Sequence, residues 1–161
     1  MNEILFRGKR ADGGGWNYGY FVKSVNDRTY IISYATEDAI NTLNEIDFMY
    51  NEVIPESVGQ YVGKTDKNGV KIFGAIREDK KGGDIILLNE CRGETPLGWN
   101  KYIVFFKDGC FGIDVPKAMD LSDIWEILPI WMARAFSDDD IEIIGNAFEN
   151  ENLLKEENHV S

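Results

Sequence analysis

Two turn dipeptides, each followed by an alternating apolar run, constrain the fold of this chain more than any other feature. Asn68-Gly69 precedes Val70–Phe73, and Asp108-Gly109 separates the runs 101–107 and 110–113. Asn-Gly and Asp-Gly favour the tight turns of β-hairpins, because those turns need residues that tolerate positive φ. The sequence therefore predicts at least two hairpins, which is typical of a sheet built from short strands.

Alternation also predicts strands elsewhere in the chain. Gly13-Gly14-Gly15 predicts a turn, and the strand that follows it places Trp16, Tyr18 and Tyr20 on one face. Further strands are predicted at 4–6, 28–34, 48–54, 84–88 and 141–144, and the first of them is expected to end at Gly8. An exposed loop is predicted at 74–83 and a second loop at 91–98.

Helical signals are few. Residues 36–47 favour either a short helix or a structured loop. Residues 115–136 favour a helix ending near Leu128 and then an extended segment 130–136, but two strands meeting at Pro129 fit almost as well. Residues 149–156 predict one or two helical turns with Leu153 and Leu154 facing inward. The predicted fold class is mainly β with a minor α part, as a compact β-barrel or sandwich with one or two short helices.

Length and charge limit the functional classes. With 161 residues, the chain is expected to form a single β-rich domain over residues 1–156 and a flexible C-terminal tail at 157–161. It has 17 basic and 28 acidic residues and a net charge of −11, which disfavours binding to phosphate backbones at long range. No apolar run reaches the length of a membrane span and the first residues lack a signal layout, so we expect a cytosolic protein and no membrane partner.

Three separated segments of the sequence form a distinctive set. The first runs from Ile4 to Arg10, with Asp12, Trp16 and Gly19-Tyr20 after it. The second comprises 58–63, Asp66 to Gly69 and 71–73, followed by 83–86, and the third comprises 141–146, 149–150 and 153–154. Together these segments bracket the chain from Ile4 to Leu154, and they resemble the YopX family, small proteins of phages and prophages.

The resemblance implies a β-rich fold that contains a small SH3-like barrel portion. It also implies that the protein originates from a phage or prophage and acts in the cytosol of the bacterial host. It implies no activity and supplies no catalytic residues. The sequence departs from the family pattern in two places. Nine residues, Gly74 to Gly82, separate Phe73 from Gly83, and Glu151-Asn152 stands before Leu153 where the family often has a proline.

Residue types that carry chemistry are poorly placed in this sequence. Cys91 and Cys110 lack the spacing of zinc ligands, and His159, the one histidine, lies in the expected tail, so no Ser-His or Cys-His pair can form. Asp138-Asp139-Asp140 lacks the pattern of a calcium loop and predicts an exposed turn. Asp84 is the best single carboxylate, yet an ordinary turn role that accepts backbone N–H groups is the preferred interpretation. We expect no catalytic residue, no metal, no cofactor and no small-molecule substrate.

Two surface hypotheses remain. Four tryptophans are many for this length, and an interface for protein contact is predicted at Trp99, Trp125 and Trp131. Aromatic side chains beside basic groups are how small barrels hold single-stranded nucleic acid, and the residues that fit this pattern are Arg7, Lys9, Arg10, Trp16 and Tyr18.

The sequence therefore favours a non-enzymatic phage or prophage accessory protein that acts by contact with a phage or host protein or as a homo-oligomer. Single-stranded nucleic-acid binding by the N-terminal strands is an alternative, although the net charge makes a nucleic-acid partner unlikely. A second alternative is an acidic protein that mimics DNA and occupies a DNA-binding protein.

Overall fold

The computed structural model describes residues 4–34, 48–92, 94–114, 127–129 and 138–155. These residues are mostly β-strand, with one short α-helix and two 3-10 turns at Pro55–Ser57 and Asp138–Asp140. The strands are β1 (Phe6–Lys9), β2 (Trp16–Lys23), β3 (Thr29–Tyr34), β4 (Phe48–Glu52), β5 (Gly59–Thr65), β6 (Lys71–Ala75), β7 (Asp84–Arg92), β8 (Thr95–Lys107), β9 (Cys110–Asp114), β10 (Ile127–Pro129) and β11 (Ile141–Asn146), and the helix is α1 (Asn152–Lys155).

The described strands form one open, branched sheet. Its main path runs β10-β9-β8-β6-β5-β1-β2-β3-β4, and a side branch, β7-β11, is attached to β8. β8 has 13 residues and pairs with three neighbours, antiparallel to β7 and β9 and parallel to β6. The mainly β prediction is confirmed. The SH3-like barrel portion remains a prediction. In the described residues, an antiparallel bridge between Arg10, after β1, and Val53, after β4, links the two ends of the group β1-β2-β3-β4.

Both predicted hairpins are confirmed. Thr65 pairs with Lys71 across the Asn68-Gly69 turn, and Lys107 pairs with Cys110 across Asp108-Gly109. Gly69 has a φ of 77° and Gly109 a φ of 86°, so both turns use the left-handed region that glycine enters at no steric cost.

The first strand does not end at Gly8, which corrects the sequence prediction. β1 continues through Gly8 to Lys9 and pairs antiparallel with β2, Lys9 opposite Trp16. Gly8 is buried against Val53, whose Cβ would lie 2.9 Å from a Cβ placed on Gly8. Glycine here permits close packing within a strand, which a sequence cannot distinguish from a strand end.

The predicted loop at 91–98 is wrong. β7 continues to Arg92 and β8 begins at Thr95, so the two strands form a long hairpin. A register shift between Glu90 and Cys91 brings Cys91 opposite Pro96. Proline is tolerated beside such an irregularity because one ladder hydrogen bond is already disrupted there.

The predicted exposed loop at 74–83 is shorter than expected. β6 includes the buried residues Gly74 and Ala75, and Gly82 and Gly83 are buried at the other end. A Cβ on Gly82 would lie 1.9 Å from the carbonyl oxygen of Val58, so the backbone passes too close for any side chain. The strongly exposed part is limited to Arg77–Asp79 and Lys81.

Within the difficult stretch 115–136, residues 127–129 form β10, which pairs Leu128 with Ile113 of β9. The predicted helix therefore does not extend to Leu128, and strand pairing at Pro129 is observed there instead. The rest of that stretch, the helix-or-loop segment 36–47 and the tail 157–161 lie outside the described residues.

The core is divided into clusters that join distant parts of the chain. The largest unites β6, β7, β8, β9 and β11, and a second lies under β3 and the segment after β4. Leu153 of α1 packs against the cluster of Ile85, Ile103 and Ala147, as predicted, but Leu154 is exposed, which corrects the expectation that both leucines face inward. In the described part of the chain, no helix has the length and apolarity needed to cross a membrane.

Asp66 joins the β5–β6 hairpin to β11. One carboxylate oxygen accepts the N–H groups of Asn68 and Val70, both at 2.9 Å, and the other accepts that of Ile143 at 3.2 Å. Burial acts to raise the pKa of Asp66, but the hydrogen bonds from Val70, Ile143 and Asn68 outweigh it and hold the pKa below its ordinary value.

Replacing Asp66 by asparagine should therefore destabilise the fold by about 1–3 kcal/mol at neutral pH, because the new amide would point a donor at the N–H of Ile143. A carboxylate with a lowered folded-state pKa stabilises the fold above its unfolded pKa, and this contribution is lost as the pH falls through the folded-state value. Urea unfolding of both proteins at several pH values between 7 and 3 should show their difference in unfolding free energy shrinking towards acid. A difference that is constant with pH would contradict this role.

Candidate functional site

The N-terminal basic and aromatic residues of β1 and β2 are brought together, and Arg7 lies at their centre. Its side chain is buried, and Nη2 donates to Oδ1 of Asp84 at 2.6 Å and to the carbonyl oxygen of Gly82 at 3.3 Å. The second carboxylate oxygen of Asp84 accepts the backbone N–H of Phe73 at 2.7 Å. Asp84 thus accepts a backbone N–H group, as predicted, but the donor lies in β6 instead of in a turn, and Asp84 also binds a cation that the sequence did not assign to it.

Two aromatic rings hold the guanidinium of Arg7. Its central carbon lies 4.8 Å from the centroid of the Trp16 ring and 4.7 Å from that of Phe73. Such cation–π contacts are strongest where water is excluded. Tyr18 in turn contacts the Phe73 ring at 5.7 Å between centroids.

Burial dominates the electrostatics of Asp84. Removal from water raises the pKa of the Asp84 carboxyl above its ordinary value, while the charge of Arg7 and the N–H of Phe73 oppose that rise. Both of its oxygens have partners and the residue is 1% exposed, so a substrate has no route to this carboxylate. The geometry is that of a structural ion pair between β1 and β7.

Lys9 and Trp16 bind the C-terminal segment. Lys9 Nζ donates to Oε1 of Glu149 at 2.8 Å, and Trp16 Nε1 donates to Oε2 at 3.2 Å. Hydrogen bonds lower the pKa of Glu149. The bond from Lys9 has the largest effect, and those from Asn146 and Trp16 add to it. Phe148 meets the Trp16 ring edge to face at 6.3 Å.

Arg10 is also paired. It forms a salt bridge with Asp12 in the β1–β2 turn, and the hydrogen bond from Arg10 lowers the pKa of Asp12. All three basic residues of the predicted nucleic-acid patch therefore lie beside a carboxylate of this chain. Of the five predicted residues, Arg7, Lys9, Trp16 and Tyr18 share contacts, whereas Arg10 points to its own turn.

A second surface emerges from strand register. Tyr20, Ile32 and Tyr50 stand directly opposite one another across β2, β3 and β4, and Val22 stands opposite Tyr30 in the next row. Since opposed residues share a face of a sheet, these side chains and Tyr18 form one surface, which we call the tyrosine face: Tyr18, Tyr20, Val22, Tyr30, Ile32 and Tyr50.

Much of the tyrosine face is open to solvent. Tyr50 is 66% exposed, Tyr18 49%, Tyr20 46% and Val22 40%. On the opposite face, Phe21 of β2 and Ile31 of β3 pack with Val53 and Val58, whereas Met49 of β4 is 53% exposed. The sequence indicated the alternation in β2, but it could not show that β3 and β4 add Ile32 and Tyr50 to the same rows, because register depends on pairing between distant segments.

Of the three tryptophans of the predicted interface, Trp99 lies within the described residues. Trp99 is half-buried on β8, opposite Asn89, with Lys67 Nζ 5.5 Å from its ring centroid. Trp125 and Trp131 lie outside the described residues. The interface predicted at these three tryptophans stays a prediction.

The acidic run 138–140 and the cysteines have ordinary surroundings where they are described. Asp138 accepts hydrogen bonds from Lys64 and Thr65, and Asp140 accepts one from Asn89 at 3.2 Å. Cys110 is a free thiol near the carbonyl oxygen of Lys107. Within the described ranges, no group of three or more potential ligands is arranged to hold a metal ion.

Fold and site together define a mostly β protein with a buried Arg–Asp pair at the junction of its N-terminal and central strands. Comparison with protein families matches residues 6–155 to the family described as YopX protein. The chain therefore belongs to the YopX family, which confirms the resemblance found in the sequence. The YopX family is not a known enzyme family.

Comparison with solved structures found the crystal structure of protein EF1440 from Enterococcus faecalis. The match has 17% sequence identity and a TM-score of 0.46, and it covers 96% of this chain and 99% of the other. Comparison with curated proteins found no match.

Replacing Arg7 by methionine should destabilise the fold by about 3–5 kcal/mol, because Asp84 would be left buried without its counter-ion. Adding Asp84→Asn should recover part of that loss, since asparagine is neutral and can still accept the N–H of Phe73. Urea unfolding of the single and double variants at pH 7 measures both effects. Equal stability of the two variants would show that the pair does not act as a unit.

The Arg7→Met variant should also respond to pH in a defined direction. Without Arg7, the folded-state pKa of Asp84 rises further above the unfolded value, so the folded state binds a proton more tightly than the unfolded state. The stability of this variant relative to the unmodified protein should therefore increase as the pH is lowered from 7 towards the unfolded pKa of Asp, about 4. A relative stability that decreases over this range would contradict the assignment.

Proposed function

We propose that this YopX-family protein acts by protein contact rather than by catalysis, as a homodimer that buries the tyrosine face of each copy. The observation that carries the proposal is the pair of cross-strand rows on β2, β3 and β4, which leaves large apolar side chains exposed beside one another. Single exposed apolar residues are common on protein surfaces, whereas a contiguous exposed set marks an interaction site.

The residue types favour a protein partner. Tyrosine is enriched in protein interfaces because its ring supplies apolar area and its hydroxyl can bond to the partner or to water. Three of the six residues of the tyrosine face are half or nearly half exposed tyrosines, Tyr18, Tyr20 and Tyr50.

Local pairing of charge permits a second copy as that partner. Beside the tyrosine face, Lys23 pairs with Asp27 at 2.9 Å, and Glu52, which stands opposite Tyr30, pairs with Arg28 at 3.6 Å. These charges are balanced within each copy, although residues 36–63, which include β4, carry six acidic and no basic groups. A two-fold axis makes one patch complementary to itself.

Family membership supports the rest of the proposal. YopX proteins fit a phage-type origin, so we place the homodimer as an accessory protein of a phage or prophage that acts in the cytosol of the bacterial host. A non-catalytic role is supported by the family and by Asp84, whose carboxylate is fully engaged by Arg7 and Phe73.

The alternatives have weaker support. Single-stranded nucleic acid would need Arg7, Lys9 or Arg10 to leave Asp84, Glu149 or Asp12. Mimicry of DNA is supported by the net charge alone, which is an argument about long-range steering rather than about a site.

Light scattering coupled to size exclusion should give twice the mass of the chain at micromolar concentrations. Tyr50→Ser and Val22→Ser should each weaken the dimer by about tenfold or more, since each removes exposed apolar area from the centre of the contact. Val70→Ser is the matched control, because Val70 is 53% exposed but lies on the β5–β6 turn. A monomer at every concentration, or equal loss in the control, would overturn the proposal.

Fluorescence anisotropy with a labelled oligothymidine tests the first alternative. We expect no binding at low salt, because the predicted cations are paired within the chain. Saturable binding that weakens as salt rises would favour the nucleic-acid function over the proposed one.

A further inference from the structure

The Asn68-Gly69 turn of the β5–β6 hairpin contains the two groups of a spontaneous backbone reaction. The side-chain amide of an asparagine can be attacked by the backbone nitrogen of the next residue, and glycine hinders this attack least because it has no side chain. Asn68 is exposed, and it is the one asparagine of the sequence that precedes a glycine. A Cβ placed on Gly69 would meet no atom within 4 Å, so a ring has room to form here.

The reaction needs water and no other reagent. The Gly69 nitrogen loses its proton and bonds to Cγ of Asn68, while the bond from Cγ to Nδ2 breaks and the amide group takes up a proton and leaves as ammonia. Water then opens the cyclic imide. Opening at Cγ gives aspartate, and opening at the backbone carbonyl carbon gives isoaspartate, in which the chain continues through Cγ. Each product carries OH, or its ionised form, where the amide carried NH2.

Asp66 restrains both reacting groups in the folded chain. The Gly69 N–H, which must lose its proton, donates to the carbonyl oxygen of Asp66 at 2.9 Å. The N–H groups on either side, of Asn68 and Val70, both donate to Oδ1 of Asp66 at 2.9 Å. The leaving group, Nδ2 of Asn68, lies 3.5 Å from Oδ2. These bonds must be released before the nitrogen can reach Cγ.

Asp66 is itself fixed to the core, so it does not move with the tip of the hairpin. The residue is 3% exposed, and its Oδ2 also accepts the N–H of Ile143 at 3.2 Å. Next to it, the N–H of Lys67 donates to the carbonyl oxygen of Ile141, a member of the largest core cluster. The turn can therefore open only by breaking its bonds to Asp66, and such local opening has a free-energy cost.

We propose that Asn68 is a site of spontaneous deamidation through a cyclic imide, and that Asp66 keeps Asn68 unmodified while the hairpin is closed. The product places a negative charge beside Asp66 where the Asn68 amide was, and isoaspartate also lengthens the backbone of the turn by a methylene group. Both changes weaken the hold of the turn on β11. The site is separate from the tyrosine face, so it does not depend on the homodimer.

A comparison of folded and unfolded protein tests the site and its protection. Samples of the unmodified chain are kept at mildly alkaline pH, with and without guanidinium chloride, and peptide mapping by mass spectrometry follows the exchange of NH2 for OH. We expect Asn68 to convert about tenfold or more slowly in the folded chain, because only opened molecules react. Equal rates would overturn the protection. In denaturant, Asn68 should convert faster than Asn51 and Asn100, and an unmodified Asn68 there would overturn the site.

Variants of Asp66 test its role in the folded chain. Asp66→Ala removes both carboxylate oxygens and retains Asn68-Gly69, so Asn68 should convert about tenfold or more faster, the effect expected for losing a hydrogen bond that closes the turn. Asp66→Asn retains an acceptor oxygen and should convert at an intermediate rate. Rates in both variants equal to that of the unmodified chain would overturn the role of Asp66.

Ile31→Ala is the control for general loss of stability. It removes buried volume from the second core cluster and leaves the β5–β6 turn intact. Urea unfolding gives the unfolded fraction of each variant, and only folded variants are compared. Acceleration in Ile31→Ala equal to that in Asp66→Asn would show that Asn68 reacts through global unfolding, which would also overturn the role of Asp66.

The converted protein tests the effect on β11. After conversion in denaturant and refolding, the N–H of Ile143 should exchange with solvent about tenfold or more faster than in fresh protein, because its acceptor Asp66 is held less firmly. The N–H of Val53, which bonds to the carbonyl oxygen of Thr29, should exchange at an unchanged rate. An unchanged rate at Ile143 as well would overturn the predicted weakening.

Discussion

The buried ion pair between Arg7 and Asp84 is the interaction on which the rest of the architecture depends. It joins residues 77 positions apart, fixes β1 against the start of β7, and engages the backbone of β6 through Phe73. A charge pair without access to water is costly to form and costlier to break. Two aromatic rings and two backbone groups surround it and make its burial tolerable, although Nε of Arg7 is buried without a hydrogen-bond partner.

In the same region, backbone segments approach each other too closely for a side chain to fit between them. Gly82 and Gly83 bring the chain under the carbonyl oxygens of Val58 and Val104, where a side chain would not fit. The residues that lengthen this connection relative to the family pattern are therefore accommodated between fixed ends. The loop can vary on the outside while Asp84 keeps its position below it, which explains how the middle family motif can be interrupted without loss of the strand that follows.

Local patterns in the sequence predicted the fold better than they predicted the site. Asn68-Gly69 and Asp108-Gly109 specified their hairpins, and alternation located the strands, because both signals depend on neighbouring residues. The predicted ends of strands, loops and helices differed from the observed ones at Gly8, Pro96 and Leu128. The roles of these residues depend on close packing or on pairing with distant strands. The aromatic-basic cluster was visible as residue types, but two of the three carboxylates that pair with it come from the distant positions 84 and 149. The tyrosine face required the register of three strands, which no local pattern contains.

The contacts of the last described segment with the first strands have a consequence for synthesis on the ribosome. Glu149 and Phe148 bind Lys9 and Trp16, and Ile141 completes the largest core cluster. The N-terminal strands emerge from the exit tunnel long before these partners exist. Folding of the described part is therefore expected to be completed only after β11 and α1 have been released, which leaves a long interval in which chaperones can hold the nascent sheet.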